Sequence, residues 1–122
     1  MIVQPRTNEQ SINVPEGIHQ ARLIGVGSKH NGIEERIEFR FSLLKEPVAE
    51  LIISMTAKDN WSYKSRLAET VSSLLGRQLD FEEYRRPYDL DSLVGSDCVL
   101  WVVDETDRQG NSYSAIKQVM AR

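Results

Sequence analysis

The chain has 122 residues, of which 40% are hydrophobic and 27% charged, so one domain with a packed core is expected. The formal net charge of −3 disfavours a protein that coats nucleic acid by charge alone. A single cysteine, Cys98, excludes an intramolecular disulfide and a multi-cysteine metal site. The sequence contains neither a signal-peptide pattern at its start nor an apolar run of roughly 20 residues. We therefore expect a cytoplasmic protein that makes no membrane contact.

The charge is distributed unevenly along the chain. Residues 1–79 hold ten Lys/Arg against nine Asp/Glu, for +1. Residues 80–107 hold nine acids against two arginines, for −7, and residues 108–122 hold three bases and no acid, for +3. A neutral-to-basic face outside the acidic segment is thus compatible with the negative total.

The N-terminal part and the first strand differ in pattern. Residues 1–15 are polar and contain two prolines, which predicts a partly ordered arm, with a short strand around residues 12–14 as the alternative. The remaining residues, 16–122, are expected to form one domain. Its first strand runs from His19 to Gly27, and its apolar phase slips by one residue beside Gly25, which is typical of a β-bulge.

The next segment reads as a hairpin followed by a third strand. Asn31-Gly32 is a strong hairpin signal. In the second strand, residues 35–43, apolar side chains alternate with charged ones, which predicts one core face and one outward face. Residues 45–50 form a turn, and Leu51 to Ala57 is a β-branched third strand.

One amphipathic helix follows the third strand. Leu67, Val71, Leu74 and Leu75 recur at helical spacing. Either Ser62 or Ser65 can cap its start, and Gly76 stands where a helix commonly ends. Residues 77–96 are acidic and irregular and close with one helical turn, and two further strands span residues 98–103 and 112–120.

This order of elements predicts an all-β fold with one helix, specifically a five-stranded OB-fold barrel with the helix between strands 3 and 4. The likeness to a known family lies in short motifs, namely Pro15-Glu-Gly17, Lys64-Ser-Arg-Leu67, Leu75-Gly76 and Leu93-Val-Gly95. Through them residues 16–122 resemble small OB-fold proteins of the single-stranded-DNA-binding and replication-protein-A-like group, including ones of phage or mobile-element type. The resemblance implies a binding surface on the second and third strands and two loops. Since OB modules also bind oligosaccharides and proteins, it does not assign the ligand.

Two sets of residues could carry single-strand binding, which needs aromatic faces for the bases and cations for the phosphates. The first set lies at the start of the helix: Lys58, Trp61, Tyr63, Lys64 and Arg66. Helix N-termini also favour anions. The alternative is that Trp61 or Tyr63 fastens the helix to the barrel while the cations are solvated.

The second set lies on strand two and in the loops. Arg36 and Arg40 share the outward face of strand two, although Glu38 between them and the lack of an outward aromatic also suit an ordinary ion-paired surface. Lys29 and His30 in the first loop and Arg108 in the last stand where an OB groove has its walls. Trp101 lies on an almost wholly apolar strand, so we expect it in the core, while Tyr113 remains undecided.

The residues give little support to an enzyme. Neither a glycine-rich phosphate loop nor a nucleophile–histidine arrangement is present, and the two histidines are too isolated for a metal site. We expect no catalysis, no cofactor and no metal.

Three hypotheses remain open. The first is binding of single-stranded DNA or RNA in replication or recombination, with DNA favoured. The second is a protein-interaction or homo-oligomerisation module that uses the same barrel, with an exposed apolar patch. The third is that the acidic segment, residues 80–107, recruits a basic partner or mimics nucleic acid.

Overall fold

A computed structural model of the protein describes residues 14–122. Its five strands are β1 (Gly17–Asn31), β2 (Glu34–Leu43), β3 (Ile52–Lys58), β4 (Asp97–Thr106) and β5 (Ser112–Ala121). Its helices are α1 (Arg66–Leu75), α2 (Phe81–Tyr84) and a 3-10 turn (Leu90–Leu93). The prediction of an all-β chain with a helix between the third and fourth strands is confirmed.

The strands form one antiparallel sheet in the order β3-β2-β1-β4-β5. The sheet curls into a barrel-like shape, which brings Cα atoms of its two edge strands, β3 and β5, within 8 Å of each other. It is not closed, since no hydrogen-bonded ladder joins β3 to β5 among the residues described. Helix α1 packs against both edge strands beside this opening.

The predicted bulge and hairpin are both present in β1 and β2. Leu23 pairs with Phe41 and Gly25 pairs with Arg40, which leaves Ile24 as the extra residue. Asn31 still pairs with Glu34, so the hairpin loop lies one residue beyond the predicted position and begins at Gly32, whose φ is 66°. A glycine tolerates this left-handed conformation without steric cost.

The predicted arm lies mostly outside the described residues. Only its last two residues are seen, and Val14 is buried, with 1% of its surface exposed. Its amide donates to Oγ of Ser114 at 2.8 Å, and that hydroxyl donates back to the Val14 carbonyl at 3.1 Å. The chain is therefore tied to β5 before β1 begins.

The core fills the barrel and the space beneath α1. Phe39, Phe41, Leu23 and Leu100 point inward from their strands, while Val71 comes from the helix. The helix ends follow the sequence signals: Ser65 accepts a hydrogen bond from the Ala68 amide at 3.1 Å, and Gly76 has a φ of 73°. These caps satisfy helix-end groups that would otherwise lack partners.

Candidate functional site

A cleft of about 670 Å³ runs along α1 on the outside of the barrel, and we call it the main groove. Its walls carry three aromatic side chains and three cations: Tyr63, Tyr84, Trp101, Lys64, Arg66 and Lys117. One acidic residue, Glu69, also lines it. The cleft thus combines aromatic faces with positive charge in a chain whose total charge is negative.

Trp101 was expected in the core, and that expectation is wrong. Its neighbours Leu100 and Val102 are buried, so the alternation of β4 turns Trp101 outward, where it is 38% exposed. The strand is apolar on both faces, which conceals this alternation in the sequence. A large, partly exposed aromatic ring therefore lines the main groove.

Lys117 reaches the same ring because the β4–β5 ladder contains a second bulge. Trp101 pairs with Gln118 and Val102 pairs with Ile116, so Lys117 is the extra residue. Its Nζ lies 5.3 Å from the centroid of the Trp101 ring, within the range of a cation–π contact. Lys117 was not among the residues predicted from the sequence, although the spacing of Ile116 and Val119, both buried, signals the change of phase.

Three residues of the first predicted set, Tyr63, Lys64 and Arg66, line the main groove at the start of α1. Tyr63 is exposed, and Lys64 Nζ lies 5.4 Å from its ring centroid. Lys64 has a φ of 62°, an uncommon conformation for a residue with a side chain. Arg66 directs its Nη2 to the Ile116 carbonyl at 3.5 Å, which brings this side chain to β5.

Trp61 lies outside the groove lining and contacts the acidic segment. Its ring centroid is 5.8 Å from that of Tyr84 and 5.3 Å from that of Tyr88. Its Nε1 donates to the carbonyls of Glu83 at 3.0 Å and Arg86 at 3.1 Å. Trp61 thus fastens residues 83–88, whereas the alternative considered from the sequence was that it fastens the helix to the barrel.

A second, smaller cleft of about 290 Å³, the side pocket, adjoins the start of α1. It is lined by Arg36, Lys58, Asn60, Ser65 and Arg66. Arg66 lines both the side pocket and the main groove. The two clefts therefore meet at Arg66.

Ion pairs hold the cations beside the side pocket. Glu34 accepts from Arg36 Nη1 at 2.8 Å and lies 3.4 Å from Lys58 Nζ. Both contacts, that of Arg36 first, lower the pKa of the Glu34 carboxyl. Arg36 also donates from Nε to Thr56 Oγ1 at 2.9 Å, so its position is fixed from two sides.

The remaining predicted residues line neither cleft. Lys29 lies 3.5 Å from Glu38, and His30 Nδ1 lies 2.8 Å from Glu35, both near the end of the β1–β2 hairpin. Arg108 is exposed in the loop between β4 and β5. Arg40 is exposed on β2, across from Gly25.

Residues 77–96 were predicted as irregular with one helical turn at their end, but their first part is folded around Glu83. A capping box joins Glu83 to Asp80 at the start of α2, and Arg77 donates to both Glu83 oxygens at 2.8 and 3.0 Å. These bonds, those from Arg77 first, lower the pKa of Glu83 from 4.5 to about 2. The ionised carboxylate therefore stabilises the segment that holds Trp61.

We expect this contribution to be fully present above about pH 4.5, the ordinary pKa of the carboxyl, and to be lost as the pH falls towards 2. Glu83→Gln cannot titrate, so its free energy of unfolding should fall less than that of the wild type between about pH 5 and 3. Urea unfolding, monitored by tryptophan fluorescence at each pH, measures the free energy of unfolding of the variant and of the wild type. Glu82→Gln is the control and should keep the wild-type dependence. Equal pH dependence in Glu83→Gln and wild type would contradict the assignment.

The described residues show no other chemical centre. Residues 14–122 contain no group of three or more potential metal ligands. Burial, together with the charge of Asp97, raises the pKa of the Cys98 thiol to about 12, so this thiol is a poor nucleophile at neutral pH. Within the same residues, no helix is both long and apolar enough to cross a membrane.

Comparison with known proteins adds no assignment. The chain matches no protein-family model, and a search of curated proteins finds no relative.

Proposed function

We propose that the chain is an OB-fold module that binds a single-stranded nucleic acid, in the first instance DNA, without catalysing a reaction. The OB assignment is supported by five strands in a partly open barrel with a helix between the third and fourth. The proposed site differs from the usual one, because its aromatic part lies on the α1 side of the barrel.

The observation that carries the proposal is the position of Arg66 between the two clefts. On one side it adjoins Arg36 and Lys58, and on the other Lys64 and Lys117 with the open ring of Trp101. A flexible polyanion that bears aromatic bases satisfies both kinds of surface, since its phosphates meet cations and its bases meet rings. A stiff duplex hides its base faces and would leave the rings unused.

Arg66→Ala should weaken binding of a labelled oligo-dT of about 30 nucleotides by about tenfold at low salt, because one charged contact is lost. The slope of log K against log salt should also become shallower by about 0.7. Fluorescence anisotropy at about 50 and 200 mM salt measures both quantities. The same titration with oligo-rU compares RNA with DNA.

Arg85→Ala is the matched control, since it removes the same charge from an exposed arginine that lines neither cleft. We expect it to bind within about twofold of the wild type. Failure of the wild type to bind at low salt, where phosphate attraction is strongest, would reject the proposal.

A second candidate is a protein-interaction or homo-oligomerisation surface. Ile18 pairs in register with Trp101 and is 61% exposed, so two large apolar side chains lie together on the outside of β1 and β4. Light scattering would show a dimer, and Ile18→Glu should convert it to a monomer. A wild-type monomer at all concentrations, together with oligonucleotide binding, would favour the first proposal.

A further inference from the structure

Arg40 rests on the backbone of Gly25. The two residues pair across β1 and β2, and a Cβ added to Gly25 would lie 2.5 Å from Nη2 and 3.1 Å from Cζ of Arg40. Gly25 is not among the glycines with positive φ, so its backbone conformation is open to other residues. The Arg40 guanidinium can therefore occupy this position because residue 25 has no side chain.

Arg40 also differs from its neighbours in charge pairing. On the outward face of β1, β2 and β3, Lys29 is paired with Glu38, and Arg36 and Lys58 are paired with Glu34. Within residues 14–122 no carboxylate lies within 4.0 Å of the Arg40 guanidinium, and no hydrogen bond engages it. Its donors are thus available to a ligand on this face.

We propose that Gly25 is a positioning residue that holds the Arg40 guanidinium for a phosphate of the single strand bound in the main groove and side pocket. This inference rests on the proposed function. Arg40 stands four residues along β2 from Arg36, about 13 Å away. A small anion cannot span that distance and also reach Arg66, whereas a polyphosphate backbone can.

The support from Gly25 explains how an exposed arginine can contribute to binding. A long side chain normally loses rotamer freedom when it engages a ligand, and this loss weakens the contact. A guanidinium that already lies against the main chain loses less, and its planar fork suits phosphate oxygens. Gly25→Ala should therefore act through Arg40 and not through the ligand directly.

The experiment is a double-mutant cycle of Gly25→Ala and Arg40→Ala, measured by anisotropy with the same labelled oligo-dT. Each single variant should weaken binding about three- to tenfold and make the salt slope shallower by about 0.7. The double variant should bind no more weakly than Arg40→Ala alone, because both changes remove the same contact. Gly27→Ala is the control, since a Cβ there meets nothing within 4 Å, and it should bind as the wild type.

Thermal unfolding of each variant separates binding from folding. The atoms that meet a Cβ at Gly25 all belong to the exposed Arg40 side chain and not to the main chain, so this side chain can move aside in Gly25→Ala and the melting temperature should stay near that of the wild type. If this variant does unfold, the double variant removes the guanidinium that the new methyl group meets and should recover stability. If the double variant regains stability and binds oligo-dT as weakly as Arg40→Ala does, the proposal is supported. If the double variant remains unstable, the proposal is overturned.

The outcomes distinguish this inference from the proposed function. Wild-type affinity in Arg40→Ala, or additive losses in the double variant, would overturn the inference. The proposed function would survive that result if Arg66→Ala still lowered affinity. If the wild-type protein bound no oligo-dT, both would fail.

Discussion

Phe41→Ala is expected to lower the free energy of unfolding by about 3–5 kcal/mol, the usual cost of removing a fully buried phenylalanine. Phe41 has no exposed surface and points into the barrel from β2. Its register partners, Leu23 on β1 and Ile53 on β3, are also buried. The cavity left by the substitution would therefore be enclosed within the barrel interior. Urea unfolding followed by circular dichroism measures the change.

Phe81→Ala provides the matched control, since it removes the same atoms from a side chain that is 72% exposed. Its ring contacts Arg85 on the surface, with the guanidinium 5.6 Å from the centroid. We expect a change below about 1 kcal/mol. If Phe41→Ala were as mild as Phe81→Ala, the described packing of the barrel interior would be incorrect.

Trp101→Ala is expected to weaken oligo-dT binding by about tenfold or more, because stacking of one base contributes about 1–3 kcal/mol. The ring lies in the main groove with Lys117 over one face. A base that stacks on this face takes the place of the ammonium, which then meets a phosphate. The salt slope should change little, since the substitution removes no charge. Anisotropy at two salt concentrations tests both statements.

Tyr113→Ala is the control for this substitution. Tyr113 is 40% exposed, against 38% for Trp101, and it lies on β5 outside the main groove. The affinity of Tyr113→Ala for oligo-dT should remain within about twofold of the wild-type affinity. Equal losses in both variants would mean that surface aromatics contribute without a defined site.

The negative net charge is compatible with the proposed ligand because several acidic side chains already have partners within the protein. In the acidic segment, Asp80 and Glu83 cap α2, and Asp97 accepts from Arg22 and Arg122, which lie outside the segment. The cations of the main groove come from α1 and β5 and from the turn before α1. Binding should weaken as the salt concentration rises, because each phosphate that contacts a cation of the site releases condensed counterions.

Local signals in the sequence were sufficient for most of the secondary structure. The alternation of β2 located a half-buried strand, and Ser65 and Gly76 marked the ends of α1, since each satisfies groups of its own helix. The phase slip at Gly25 located the bulge correctly. The capping box of α2 was overlooked, although Asp80 and Glu83 stand at the spacing that forms it.

Tertiary structure decided which of these residues meet. The apolar sequence of β4 did not reveal which way Trp101 faces, because alternation is readable only when the two faces of a strand differ. For that reason Trp101 was expected in the core but lies on the surface, with 38% of its area exposed. Trp61 packs on a segment more than twenty residues away, a contact that no local pattern predicts. The sequence alone determined the elements and their order through local hydrogen bonding and periodicity. Only the packing of α1 against β5 decided that Arg66, Trp101 and Lys117 share one groove, because distances between residues far apart in the chain are set by the fold.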